Sequence, residues 1–222
     1  MIRLENLTKV FTLNGRRKVV IEDVTMVFPS GTAVALLGRN GAGKSTLLRM
    51  IAGTIAPTSG RIVSTGTISW PVGFAGSFHP ELTGIQNVRF VARIYGVDTD
   101  ELIAFVEDFA DLGVHFRLPL RTYSSGMRSR LAFGVSMGIP FDTYLVDEVT
   151  AVGDARFKAK SAQVFLERRR TAGAVMVSHS MSMVRRTCNV GVVLESGKLH
   201  YYDDIEAAIM HHNRNMLGPD IP

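Results

Sequence analysis

Residues 32–53 read TAVALLGRNGAGKSTLLRMIAG. The opening run, TAVALLG (32–38), carries no charge and has the composition of a parallel strand buried on both faces. It passes into GRNGAGKST (38–46), which has the spacing G-x-x-x-x-G-K-[ST] of a phosphate loop. KSTLLRMIAG (44–53) then reads as a helix closed by Gly53. In that order, Gly38, Gly41 and Gly43 let the backbone bend until its N–H groups converge on an anion. The helix start adds partial positive charge. Lys44 is the candidate to neutralise the β- and γ-phosphates, and Thr46 a further phosphate contact. Ser45 offers a hydroxyl to Mg²⁺. Arg39, Asn40 and Ala42 complete the loop. A glycine-rich turn arises by chance in many chains. Between a buried strand and a helix, it points to a nucleoside triphosphate.

Such a loop needs a carboxylate on a neighbouring strand to hold the metal. TYLVD (143–147) is a short apolar strand ending in Asp147, and Glu148 follows, able to orient or deprotonate an attacking water. AGAVMVSHS (172–180) is another strand, with His179 at its polar tip. Ligands of open α/β sheets bind at strand C-terminal ends. Lys44, Asp147 and His179 therefore point to one crevice, with His179 placed to hydrogen-bond the γ-phosphate and the water.

Around this frame, residues 2–10 and 18–28 alternate as strands joined by a turn at Asn14-Gly15. Residues 61–70 read as a hairpin or as two edge strands. Helical spacing covers 84–96 and 99–111, and a helix follows Ser125. Residues 155–170 form a helix, 190–195 and 198–202 a hairpin, and 203–213 a last helix. The expected fold is α/β: a mainly parallel core sheet, an N-terminal antiparallel β subdomain and an inserted helical subdomain. One domain is expected over 1–222, with its core at about 1–75 and 140–222 and the helical part at about 76–139.

The 222 residues are 46% hydrophobic and 20% charged, enough for a packed core. No apolar run reaches the ~18 residues of a membrane span, and MIRLENLTKV lacks the apolar core of a signal peptide. The single cysteine, Cys188, excludes an intrachain disulfide and fits a reducing cytoplasm as a small buried hydrophobe. The net charge of +5 is scattered. Its densest clusters, Arg16-Arg17-Lys18 and Arg168-Arg169-Arg170, lack the interleaved aromatics of a single-strand binder. Both are read as solvated surface first, and no nucleic-acid partner is expected.

YSSGM (123–127) precedes a largely apolar stretch. Its small hydroxyl residues suit a turn, a helix cap or a contact to a ligand. A serine nucleophile is excluded, because G-x-S-x-G is absent.

The order GRNGAGKST, YSSGM, LVDE, Gly153-Asp154 and His179 resembles the ATP-binding cassette family. The resemblance spans nearly the whole chain. It aligns YSSGM with the family signature, usually L-S-G-G-Q. It implies that two copies meet head to tail, with each ATP between Lys44 of one chain and Ser124, Ser125 and Gly126 of the other. It implies ATP and Mg²⁺ as ligands, Asp147 and Ser45 on the metal, Glu148 and His179 at the hydrolysed bond, and Asp154 in the D-loop. Phe11 stands where the family stacks an aromatic on adenine, with core packing as the alternative. The family's loop glutamine belongs near residues 73–77, where none stands. Gln86 follows later, and the role passes to backbone or to His79.

Val149 after the acidic pair, TAVGDARF (150–157) and WPVGFAGSF (70–78) narrow the resemblance to ATPase subunits that export bacterial capsular polysaccharide. O-antigen and teichoic-acid exporters share the AVGD form. The O-antigen type often carries a carbohydrate-binding extension, and a chain ending at 222 is expected to be the capsule type. The resemblance implies a peripheral ATPase at the cytoplasmic face of the inner membrane. A separate integral permease would dock near residues 70–95 and handle the polysaccharide. An importer ATPase is a rival reading. A soluble cassette acting on DNA or ribosomes is another, but no heptad run separates Lys44 from Asp147.

Overall fold

The structure, a computed structural model, describes all residues except 14, 74–75, 77, 148–153 and 218–222. It divides into two compact units. One comprises Met1–Pro71, Phe141–Glu148 and Arg169–Pro222; the other comprises Val72–Pro140 and Val149–Arg168.

The first unit holds two sheets. β1 (Ile2–Leu13) pairs antiparallel with β2 (Arg16–Phe28) and with β4 (Ser59–Ser64). The second sheet has the order β5 (Ile68–Pro71), β6 (Thr143–Asp147), β7 (Gly173–Val177), β3 (Ala33–Leu37), β8 (Val190–Glu195), β9 (Lys198–Tyr202). Its first five strands are parallel, and β9 turns back antiparallel from β8. Of the two readings of residues 61–70, two edge strands is the one realised, with β4 at the edge of the first sheet and β5 at the edge of the second. β4 and β5 go to different sheets, because β4 finds its partner in β1 and β5 in β6.

β3 and β7 are buried along their whole length, as unbroken apolar runs require. α1 (Lys44–Ile51) buries Leu47, Leu48, Met50 and Ile51. These residues share one core with Ile2, Leu4, Ile21 and Phe28 of the antiparallel sheet and with Leu36, Leu145, Val175 and Val192 of the parallel one. The helix behind the phosphate loop is thus the common filling of both sheets. α6 (Met181–Thr187) and α7 (Ile205–Leu217) complete this unit. α7 lies so close to β8 that a Cβ on Gly191 would overlap Ala208 Cβ. Cys188 is buried and its thiol is pushed up to about 12 by that burial, so it is an inert core residue.

The second unit is helical: α2 (Gly84–Tyr95), α3 (Thr99–Ala110), α4 (Ser125–Gly138) and most of α5 (Ala155–Arg169). Phe109 anchors it, stacked on Phe133 of α4 and edge-on to Phe157 of α5. Gln86, the late glutamine, is occupied by helix capping. Its Oε1 accepts from Thr83 N at 2.9 Å while its own N–H donates to Thr83 Oγ1 at 3.2 Å. His79 is also held locally, its N–H donating to Asn87 Oδ1 at 2.8 Å.

Candidate nucleotide site

The loop between β3 and α1 is shaped by glycines that no other residue replaces. Gly43, at φ 114°, is the N-cap of α1, and a Cβ there would overlap Val20 Cγ1. A Cβ on Gly38, at φ 148°, would stand 2.5 Å from Leu194 O. With glycine at the cap, no side chain satisfies the first N–H groups of α1. A helix start left uncapped in this way offers its donors to an anion. Lys44 arches back over the loop, its Nζ donating to Gly38 O at 2.7 Å and to Arg39 O at 3.1 Å. The ammonium is thereby held over the place where the N–H groups converge.

A cavity of about 530 Å³ opens on this loop. Asn40, Gly41, Gly43, Lys44, Ser45 and Thr46 line it, together with Phe11, Lys18, Val20, Val177 and His179. Phe11 is 43% exposed, so it is no core residue, and Lys9 Nζ lies 4.9 Å from its ring centroid. His179 stands exposed at the tip of β7. The antiparallel β1–β2 ribbon thus brings an aromatic wall to the phosphate loop. Lys18, read from sequence as solvated surface, pairs with Phe11 across that ribbon and lines the same cavity. The strand register was the signal that could have revealed it.

Asp147 ends β6 directly across from Val177 in the ladder, and Val177 lines the cavity. One carboxylate and the Ser45 hydroxyl are a fitting protein share for Mg²⁺, which takes its other positions from water and phosphate. Among the described residues, no three His, Cys, Asp or Glu form a closed metal cage. Glu148 lies outside the described residues. Arg39 and Ala42 face elsewhere, lining a second cavity of about 480 Å³ with Leu194, Glu195, Ser196, Arg214 and Asn215.

In the helical unit, Ser124 caps α4, its Oγ accepting from Met127 N at 3.2 Å. Ser124 and Ser125 are exposed and Gly126 partly so, leaving this helix start open to a ligand. Asp154 caps α5 through Phe157 N at 2.8 Å and accepts from Arg130 Nη2 at 3.1 Å. These bonds, the Phe157 N–H first, hold its carboxyl below the ordinary value.

The sequence profile of the family described as ABC transporter matches residues 21–151. Over 212 residues the chain is 53% identical to KpsT of Escherichia coli, a polysialic acid transport ATP-binding protein, covering 94% of this chain and 95% of that one. It is 43% identical to the capsule polysaccharide export ATP-binding protein CtrD of Neisseria meningitidis, over 96% of this chain and 99% of that one. An O-antigen export system ATP-binding protein of Klebsiella pneumoniae is 38% identical, over 92% and 85%. A solved ATP-binding cassette dimer, in a post-hydrolysis state with ADP and Pi, matches with a TM-score of 0.77 at 20% identity, over 91% and 98%.

Proposed function

The chain belongs to the ABC transporter family as one of its ATPase subunits, and from that membership we propose that it drives export of capsular polysaccharide across the inner membrane. The observation that carries this reading is the near full-length similarity to polysialic acid and capsule export ATP-binding proteins. The cavity that joins Phe11, the phosphate loop and His179 supports its ATPase part.

In this reading adenine rests on Phe11 and the phosphates settle on the loop N–H groups. Lys44 exchanges the carbonyls of Gly38 and Arg39 for phosphate oxygens. Ser45 and Asp147 would hold Mg²⁺, which supplies neutralisation of the phosphate charge. Glu148 orients the attacking water, and His179 holds the γ-phosphate. Ser124, Ser125 and Gly126 of a second copy close over the same nucleotide, so ATP joins two chains and its hydrolysis releases them. Closure does work only through the different affinities of the open and closed states.

No helix among the described residues is long and apolar enough to cross a membrane. We assign the polymer's path to a separate permease subunit, with this chain peripheral on the cytoplasmic face. Phe90 and Ile94, one helical turn apart on α2, are 53% and 60% exposed and form the apolar face we assign to that permease.

The test is purification of the tagged chain from native membranes in mild detergent. Recovery of a polytopic subunit with lipid-linked polysaccharide is expected. A permease accompanied by a substrate-binding protein would mean import. In the same preparation, Glu148→Gln should bind ATP, dimerise and hydrolyse at least about 100-fold more slowly. Hydrolysis at the wild-type rate would remove Glu148 from the mechanism.

A further inference from the structure

Two arginines beside the phosphate loop stand without an anion. Arg39 belongs to the loop and Arg214 to the last turns of α7, and both line the cavity of about 480 Å³. Among the described residues neither guanidinium has an ion pair or a hydrogen-bond acceptor. The walls that carry them are fixed. On one side, Gly38 packs so tightly on the end of β8 that an added Cβ would stand 2.5 Å from Leu194 O. On the other, α7 is seated on β8 by the Ala208–Gly191 approach, and His211 is held by Tyr202 Oη at 2.7 Å and Glu195 Oε2 at 3.1 Å. Arg214 and Asn215 follow His211 by three and four residues and so share its face of the helix. The cavity is thus preformed, and its volume lies within the range of about 300–1,000 Å³ of small-molecule sites. It shares the phosphate loop with the nucleotide cavity but takes different residues from it, Arg39 and Ala42 where the other takes Gly41 and Gly43.

We propose that this cavity is a second ligand site, for a sugar phosphate, with the phosphate between Arg39 and Arg214 and the sugar hydroxyls on Glu195, Ser196 and Asn215. The proposal goes beyond the ATPase reading and does not rest on it. Two guanidinium forks match the charge and the oxygens of a phosphate monoester better than those of a single carboxylate. Glu195 is the one carboxylate among the described lining residues, and His211 Nε2 already occupies its Oε2, so that Oε1 is left to accept from a hydroxyl. Ser196 and Asn215 add a hydroxyl and an amide, and Leu194 and Ala42 add apolar contact for the C–H face of a ring. No aromatic side chain is among the described lining residues, in contrast to Phe11 in the nucleotide cavity, so a nucleobase finds nothing to stack on here.

The test is isothermal titration calorimetry of the full-length chain with glucose 1-phosphate and N-acetylglucosamine 1-phosphate. At least one ester should bind with Kd below about 1 mM, and inorganic phosphate or glucose alone should bind at least about tenfold more weakly. Arg214→Gln should weaken the ester at least about tenfold, as loss of a charge-assisted hydrogen bond does, and Asn215→Ala about threefold. Arg214 is exposed, so its variant should keep the wild-type melting temperature and nucleotide affinity. Saturating ADP should not displace the ester. Four results would each overturn the proposal: no heat from either ester at about 10 mM, undiminished binding in both variants, inorganic phosphate binding as tightly as the ester, or competitive displacement by ADP, which would put the ester on the phosphate loop. Loss of ATP hydrolysis by the wild-type chain would remove the ATPase reading and leave this site standing, and loss of ester binding would do the reverse.

Discussion

Gly43→Ala should damage the phosphate loop in two separable ways. Gly43 has φ 114°, a conformation outside the regions open to an L-residue, and holding alanine there costs about 1–3 kcal/mol. The added methyl would also overlap Val20 Cγ1, and Val20 is only 5% exposed within the β1–β2 ribbon. Overpacking of that kind costs about 1–3 kcal/mol more. The sum, about 2–6 kcal/mol, corresponds to roughly 5–20 °C in melting temperature for a chain of this size. The separation comes from a double-mutant cycle. Val20→Ala alone loses about 1–3 kcal/mol of burial. Combined with Gly43→Ala it relieves the overlap, and the cycle should return a favourable coupling of about 1–3 kcal/mol. The backbone cost remains, because no change at Val20 alters φ at residue 43. Urea denaturation reads the stabilities, and fluorescent ATP-analogue binding reads the loop. Gly43→Ala with wild-type stability and nucleotide affinity would refute the geometry. A cycle with no coupling would refute the Val20 contact specifically.

Two further changes probe the adenine wall and the acid limb of stability. Phe11→Ala should raise KM for ATP severalfold and leave the melting temperature nearly unchanged, since the ring is half out of the protein; a large loss of stability with unchanged KM would return Phe11 to the core. Asp142 accepts from Thr67 N at 2.7 Å and from Thr67 Oγ1 at 2.8 Å, and these bonds hold its pKa below the ordinary carboxylate value. A depressed folded-state pKa contributes stability that is present above the unfolded value and lost as pH falls through the folded one. Asp142→Asn should therefore flatten stability against pH below about pH 4, and an unchanged acid slope would count against this carboxylate.

The phosphate loop was legible in sequence because its chemistry is local. Strand, glycines, lysine and helix are contiguous, and short-range backbone rules dictate their geometry. Most elements followed from periodicity for the same reason. The helix after Ser125 was legible, while the capping role of Ser124 was one of three readings that YSSGM left open. Residues 61–70 were legible only as a hairpin or two edge strands, and the choice between them was not local, because a short polar segment takes its state from whichever partner offers a free edge. That partner, β1 for β4 and β6 for β5, is far away in sequence.

By itself the sequence nominated the residues we propose for phosphate chemistry: Lys44, Ser45, Asp147 and His179. Only the tertiary structure decided what surrounds them. It put Phe11 and Lys18 on the cavity wall through the β1–β2 register, turned Arg39 and Ala42 toward a second cavity, and brought Arg214 and Asn215 to that second cavity on the last turns of α7. A motif is a matter of neighbours along the chain. A wall is a matter of neighbours across it, chosen by burial and strand pairing between segments that the linear order leaves unrelated.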